Sequence, residues 1–220
     1  RLQLMRGIVG GISMLTWFYA LSLIPVADAT ALSFTVVIFA SMGAALFLQE
    51  QVGKHRWTAI VIGIIGTFII LRPSVSSLNS GSLIALVSSI LWAAALLIVK
   101  VLSRTDSPMT IVFYSSIYFT ILAGIPAAYH WTNPGPAQLS LLICVGILAT
   151  IAQLSMTGAL KVAETTAIMP IDFTRLLWAA ALGYVWFGEL PDFWTWLGGI
   201  IVFTSTVYIT YRENRLAKDV

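Results

Sequence analysis

The sequence predicts an all-α polytopic membrane protein, on three observations. Of its 220 residues, 59% are hydrophobic and only 10% charged. The mean hydropathy is +0.93. The charge-free stretches are continuous apolar runs of the length a helical span needs, about 20 residues. A soluble domain hydrates its surface with roughly 25% charged residues. This chain lacks them, which excludes a soluble enzyme, a nucleic-acid-binding domain and a disordered chain. The net charge of +3 does not restore a nucleic-acid partner, because the basic residues stand between apolar runs and form no patch. Continuous rather than alternating hydrophobicity excludes a transmembrane β-barrel.

Eight spans follow in order, at about residues 6–24, 28–49, 57–72, 80–101, 109–129, 137–160, 164–187 and 193–211. The stretch from Ser107 to Leu160 carries no charge but is too long for one span. His130-Trp131-Thr132-Asn133-Pro134-Gly135-Pro136 divides it, since paired prolines with glycine end helices. The other connections are short, so neighbouring spans run antiparallel and no soluble domain fits between them. With the sides numbered alternately, one receives Arg1, Arg6, Lys54, Arg56, Lys100, Arg104, Lys161, Arg212, Arg215 and Lys218, and the other only Arg72. That asymmetry predicts a cytoplasmic carboxyl terminus. Trp57, Trp131, Trp194 and Trp196 fall near span ends, as interfacial belts require. Gly7 and Gly11 predict a close helix–helix contact. Cys144, the single cysteine, reads as a small buried hydrophobe and excludes an intramolecular disulfide. No metal or other cofactor is implied.

The chain also repeats itself. A shift of 139 residues pairs Ala20-Leu21 with Ala159-Leu160, Phe34-Thr35 with Phe173-Thr174, and Glu50 with Glu189. It also pairs Trp57 with Trp196 and Thr67 with Thr206. Five spans separate the paired segments, an odd number, so the halves point in opposite directions across the membrane. Inverted repeats build secondary transporters, with the site near the midplane between the halves. Residues 1–72 then form the last three helices of a first repeat and 80–211 the five helices of a second, with 212–220 a cytoplasmic tail. The same shift places partners of the fourth and fifth spans upstream of Arg1. The expectation is a ten-helix, five-plus-five inverted-repeat bundle of which eight transmembrane helices are in this chain. A natural eight-helix protein is the alternative.

These residues resemble the drug/metabolite transporter superfamily, and within it the EamA (RhaT-like) family. The resemblance rests on Ala20-Leu21, Pro25-Val26-Ala27-Asp28-Ala29, Glu50, Arg56-Trp57 and Leu71-Arg72-Pro73 in the first half. In the second half it rests on Ala163-Glu164-Thr165-Thr166-Ala167, Pro170, Gly188-Glu189 and Gly198-Gly199. It covers the whole chain. Met169 to Arg175 resembles the S-adenosylmethionine/riboflavin transporter-like subgroup. The resemblance implies a multi-pass protein of the bacterial inner membrane. In one departure, Phe34-Thr35-Val36-Val37-Ile38 lacks the proline that kinks this helix in many members.

The candidate site centres on Asp172 and Arg175, well inside the span 164–187. Charges at such depth are costly and seldom face lipid, and the i, i+3 spacing puts both on one helical face. Arg175 is suited to a substrate carboxylate or phosphate, and Asp172 to an amine or a proton. The alternative is a structural ion pair. Pro170, one turn earlier, marks a helix kink beside the site, or a tolerated proline. Gln153 either lines the cavity or bonds between helices. Trp17 and Trp92 either stack on substrate or fill the core, and Ser88 lies one turn before Trp92. Glu50 and Glu189 are candidate gate residues; the alternative is a pair of hydrated interfacial carboxylates.

The function expected is secondary transport of a small polar metabolite, an amino acid or related compound, by alternating access. Export is the favoured direction. The alternatives are an uptake permease for a nucleoside- or vitamin-like solute, and a non-transporting scaffold or truncated inactive chain. No phosphate-binding loop or soluble domain supplies ATP, so any coupling comes from a gradient. An intramembrane enzyme needs a nucleophile–base or metal constellation at depth, and none is written in the sequence. The expected partners are a small-molecule substrate and the lipid bilayer, without nucleic acid; a homo-oligomer is left open.

Overall fold

The computed structural model describes residues 1–24, 26–50, 53–71, 80–129, 131–175, 178, 181–182, 185 and 193–216. Among the described residues there is no β-strand. Helices α1 (Leu2–Leu23), α2 (Val26–Ser33), α3 (Thr35–Phe47), α4 (Lys54–Leu71), α5 (Ser80–Leu102), α6 (Pro108–Tyr129) and α7 (Pro136–Val162) come first. Then follow α8 (Thr165–Ile168), a 3-10 stretch Met169–Phe173, and α9 (Phe193–Leu216). By length and hydropathy α1, α5, α6 and α7 can each cross a membrane, and α3 is a shorter apolar helix. Large apolar side chains such as Leu46, Phe113 and Leu141 face outward, as suits helices solvated by lipid.

Two expected spans differ in the structure. The span 28–49 divides at Phe34 into α2 and α3, although no proline stands there. Hydroxyls bond back into the helix ladder on both sides of Phe34. Ser33 Oγ donates to Thr30 O at 2.7 Å and Thr35 Oγ1 to Leu32 O at 2.6 Å. Ser89 Oγ, from α5, donates to the same Leu32 O at 3.3 Å. Such hydroxyl bonds weaken and bend helices, and here Val37 N bonds Phe34 O in a tighter i, i+3 turn. The span 164–187 opens as one short α-turn and passes into the 3-10 stretch containing Pro170.

Small residues set how the helices pack. Without a hydrophobic drive between helices in lipid, close backbone approach supplies the contact. Gly7 and Gly11 of α1 face Tyr118 and Leu122 of α6 so tightly that a Cβ at either would collide. The buried face of α5 includes Gly81, Ala85, Ser88, Ser89 and Leu96, at helical spacing. It meets α1 through a reciprocal pair: Ser13 Oγ donates to Ser88 O and Ser88 Oγ to Ser13 O, both at 2.8 Å. Ser205 Oγ of α9 donates to Ala59 O of α4 at 2.9 Å.

Gly66 gives a direct test of this packing. A Cβ there would stand 2.8 Å from Val202 Cγ2 and 3.1 Å from the Gly198 carbonyl oxygen, and that backbone cannot yield. Gly66→Ala is expected to destabilise by about 1–3 kcal/mol, the cost of overpacking, read as a lower melting midpoint. Gly124→Ala meets open space and is expected to leave the midpoint unchanged or higher. Equal melting of the two variants would contradict the α4–α9 packing.

Part of the packed core lies near one end of the bundle. Leu96, Val99 and Leu102 of α5 join Ile111 of α6, Leu160 of α7 and Met169 in one buried cluster. This end carries Lys54, Arg56, Lys100, Arg104 and Lys161, and is the basic end. Polar bonds tie its helix termini together. Gln3 Nε2 donates to Asp106 at 2.6 Å. Lys100 Nζ donates to the Leu160 carbonyl at 2.8 Å and to that of Ala163, filling acceptors that the end of α7 leaves open. Away from this end α7 is bare: residues 137–152 are all exposed. Cys144 lies on this stretch and is exposed. It is therefore not the buried hydrophobe expected, because no helix among the described residues covers that length of α7.

Candidate functional site

Between α1, α5, α6, α7 and the 3-10 stretch lies a cavity of about 480 Å³. That is within the roughly 300–1,000 Å³ of small-molecule sites. Asp172, Arg175, Gln153, Trp17, Trp92 and Ser88 all line it. Three helices, α1, α5 and α7, and the segment after Pro170 bring these residues together. Hydroxyls of Ser33, Ser89, Ser115, Ser116, Thr150 and Thr157 add polar points to an otherwise apolar and aromatic wall.

Asp172 and Arg175 hold the expected relation. Arg175 Nη2 is 3.8 Å from Asp172 Oδ2, and both side chains are partly exposed. The same Nη2 donates to Ser33 Oγ at 3.1 Å, and the guanidinium lies 4.7 Å above the Phe34 ring. Phe34 in turn stacks on Phe173 at 5.4 Å. Arg175 therefore bridges the break between α2 and α3 and the 3-10 stretch. Pro170 lies within that stretch, where the α-ladder gives way to i, i+3 bonding. Ser88 stands on the wall, but its hydroxyl is engaged by Ser13. Trp17 also packs against the small cluster of Ala20, Ile24, Ala29 and Ala85. Trp92 packs against the main core.

Glu50 lies apart from the cavity, at the basic end. Its carboxylate accepts Thr165 N at 3.0 Å, Thr166 N at 3.1 Å and Thr166 Oγ1 at 3.1 Å. It therefore caps the amino terminus of α8 from the other half of the chain, where free N–H groups and the helix dipole attract an anion. Arg56 completes the link with Glu164 and donates to Thr166 Oγ1 at 2.8 Å. A hydrated, unengaged Glu50 is thus not what the structure shows. Glu189 lies outside the described residues.

One cavity residue was misread from the sequence. Arg6 counts there among the cations of the basic side, at the first residue of the span 6–24. In the structure it is 2% exposed and lines the cavity. Its guanidinium lies 5.2 Å from the Trp92 ring centroid and 5.4 Å from that of Phe119. Gly10, one turn on, leaves the room it occupies. Its Nε and Nη1 are buried without a hydrogen-bond partner. The i, i+4 placement of Arg6 before Gly10 was the available signal.

Helices apolar enough to cross a bilayer, around a cavity with charged and aromatic walls, define a multi-pass membrane protein with an internal cavity of small-molecule size. Residues 2–72 and 79–211 match the EamA-like transporter family, and the chain belongs to it. It is 34% identical to a riboflavin transporter of Vibrio cholerae over 98% of its own length and 73% of that protein. It is 29% identical to an S-adenosylmethionine uptake transporter of Rickettsia bellii, over 97% of this chain and 73% of that one. A pseudopaline exporter of Pseudomonas aeruginosa is 27% identical, over 96% and 75%. A solved crystal structure superposes with a TM-score of 0.81 at 15% identity, over 96% of this chain and 75% of that one. That likeness shows a shared fold.

Proposed function

We propose that the chain is a secondary transporter that carries a small polar metabolite through this cavity by alternating access. The observation behind the reading is that the six residues singled out for substrate contact line one cavity. Charged groups sit inside apolar walls there, where they stabilise a solute that lipid cannot. Asp172 and Arg175 contact the cargo's polar groups, Trp17 and Trp92 its flat or cationic parts, and Gln153 and Ser88 its edges. Glu50 acts at the gate of the basic side and Glu189 at the opposite one. The basic side is cytoplasmic, with the carboxyl terminus on it, in a bacterial inner membrane.

The arrangement is a five-plus-five inverted repeat. Its support is the sequence repeat together with the bare length of α7. Helix α1 of the first half packs on α5 and α6 of the second, and the 139-residue repeat makes α7 the inverted equivalent of α1. The inverted equivalents of α5 and α6 would then cover α7. Export of an amino acid or related metabolite is the favoured direction, and the likeness to a pseudopaline exporter supports it. Uptake of a vitamin- or nucleoside-like solute is the second reading, supported by the likeness to S-adenosylmethionine uptake and riboflavin transporters.

The test is flux in proteoliposomes of either orientation, with riboflavin, S-adenosylmethionine and a set of amino acids. Saturable movement of one of them, faster from one face, is expected. Flux no faster than in empty liposomes for every solute would leave a scaffold instead.

A further inference from the structure

We propose that Arg6 is the anion-receiving residue of the cavity, so that the cargo carries a carboxylate or phosphate beside a flat unsaturated group. The inference rests on the transporter reading above and names the chemistry of its cargo. Among the described residues three charged side chains line the cavity: Arg6, Arg175 and Asp172. Two cations against one carboxylate leave one positive charge in excess.

The excess belongs to Arg6. Arg175 already has Asp172, the Ser33 hydroxyl and the Phe34 ring. Arg6 is more deeply buried, and among the described residues no carboxylate, hydroxyl or carbonyl meets it. Aromatic faces attract a cation but leave its N–H donors unsatisfied. A buried guanidinium without an anion is costly, and an anionic ligand entering the cavity removes that cost at binding. Asp106, a carboxylate of the basic end, accepts from Gln3. Trp92 and Phe119, which flank the guanidinium, also line the cavity, so a ring attached to the anion has surfaces to stack on.

The experiment uses the whole chain in phosphatidylcholine nanodiscs, with benzoate, phenyl phosphate and the neutral isostere benzamide as probes. Tryptophan fluorescence reports occupancy and the melting midpoint reports stability. One or both anions are expected to bind at least tenfold more tightly than benzamide, and their ranking tells carboxylate from phosphate. Arg6→Gln is expected to erase the preference and Arg6→Lys to keep part of it. Without probe, Arg6→Gln is expected to melt no lower than the parent.

A lower midpoint with an unchanged anion preference would overturn the proposal, since a purely structural clamp gives that result. So would benzamide binding as well as the anions, or no anion binding at all. Nanodiscs containing phosphatidylglycerol separate the remaining source. If that lipid raises the midpoint and blocks the probes, the anion is a headgroup and the assignment to cargo fails. Saturable flux without any preference for anionic solutes removes only this inference; absence of all flux removes the transporter reading beneath it.

Discussion

Arg175→Ala is expected to lower solute flux tenfold to about a hundredfold in a protein that still folds. The residue makes three contacts at once, with Asp172, Ser33 and Phe34. A hydrogen bond to a charged group contributes about 1.5–3 kcal/mol, which corresponds to that range of rates. The loss has two sources. The cargo loses a donor, and Asp172 is left in the cavity without its cation. Asp172→Asn is expected to cost less, because Arg175 keeps Ser33 and the Phe34 face. Arg175→Lys is expected to fall between them, since an ammonium offers a point charge in place of a planar fork. Initial rates in proteoliposomes, normalised to protein of unchanged melting midpoint, decide the matter. Flux and affinity unchanged in Arg175→Ala would reject the residue as part of the site.

Glu50→Ala is expected to open the basic end. Three hydrogen bonds from the start of α8 converge on this carboxylate. Removing it leaves the Thr165 and Thr166 N–H groups without that acceptor. Charge-assisted bonds of this kind suffice to shift a two-state gate by about ten- to a hundredfold. Thr157 on the cavity wall lies three residues before Leu160, whose carbonyl Lys100 holds. In a Cys144→Ser background, Thr157→Cys is expected to react faster with a membrane-impermeant thiol reagent from the basic side once Glu50 is replaced. Glu50→Gln, which keeps an acceptor but loses the charge, is expected to be intermediate. An unchanged labelling rate would reduce Glu50 to a helix cap with no part in gating.

Much of the site was legible because charge and aromaticity within an apolar span are conspicuous. Asp172 and Arg175 stood out by depth and spacing, and Trp17, Trp92 and Gln153 by lying inside runs with few alternatives. Arg6 was misread because a cation near a span start fits the charge-asymmetry rule whether it snorkels outward or turns inward. Only its neighbours settle the direction: Gly10 clears the space, and Trp92 and Phe119, from α5 and α6, supply the faces. Glu50 was visible as a repeated acidic residue, but its partners are 115 and 116 positions away. The break at Phe34 was invisible to a search for proline, because the residues beside it are a serine and a threonine whose hydroxyls bond backward along the helix.

The sequence by itself determined the solvent, the helical class and the family. These depend on composition, run length and the order of short motifs, which act locally along the chain. It also determined which side chains are too polar for their surroundings. Tertiary structure decided what those side chains meet. It turned Arg6 from one cation of the basic side into a buried cation on the cavity wall between two aromatic rings, and tied Glu50 to a helix of the other half. It left α7 bare over residues 137–152, and with it Cys144. The physical reason is that hydrophobicity places a helix in the membrane but does not rotate it. Rotation and partner choice come from close packing of glycine and serine faces and from single polar bonds, many of them between residues far apart in the chain.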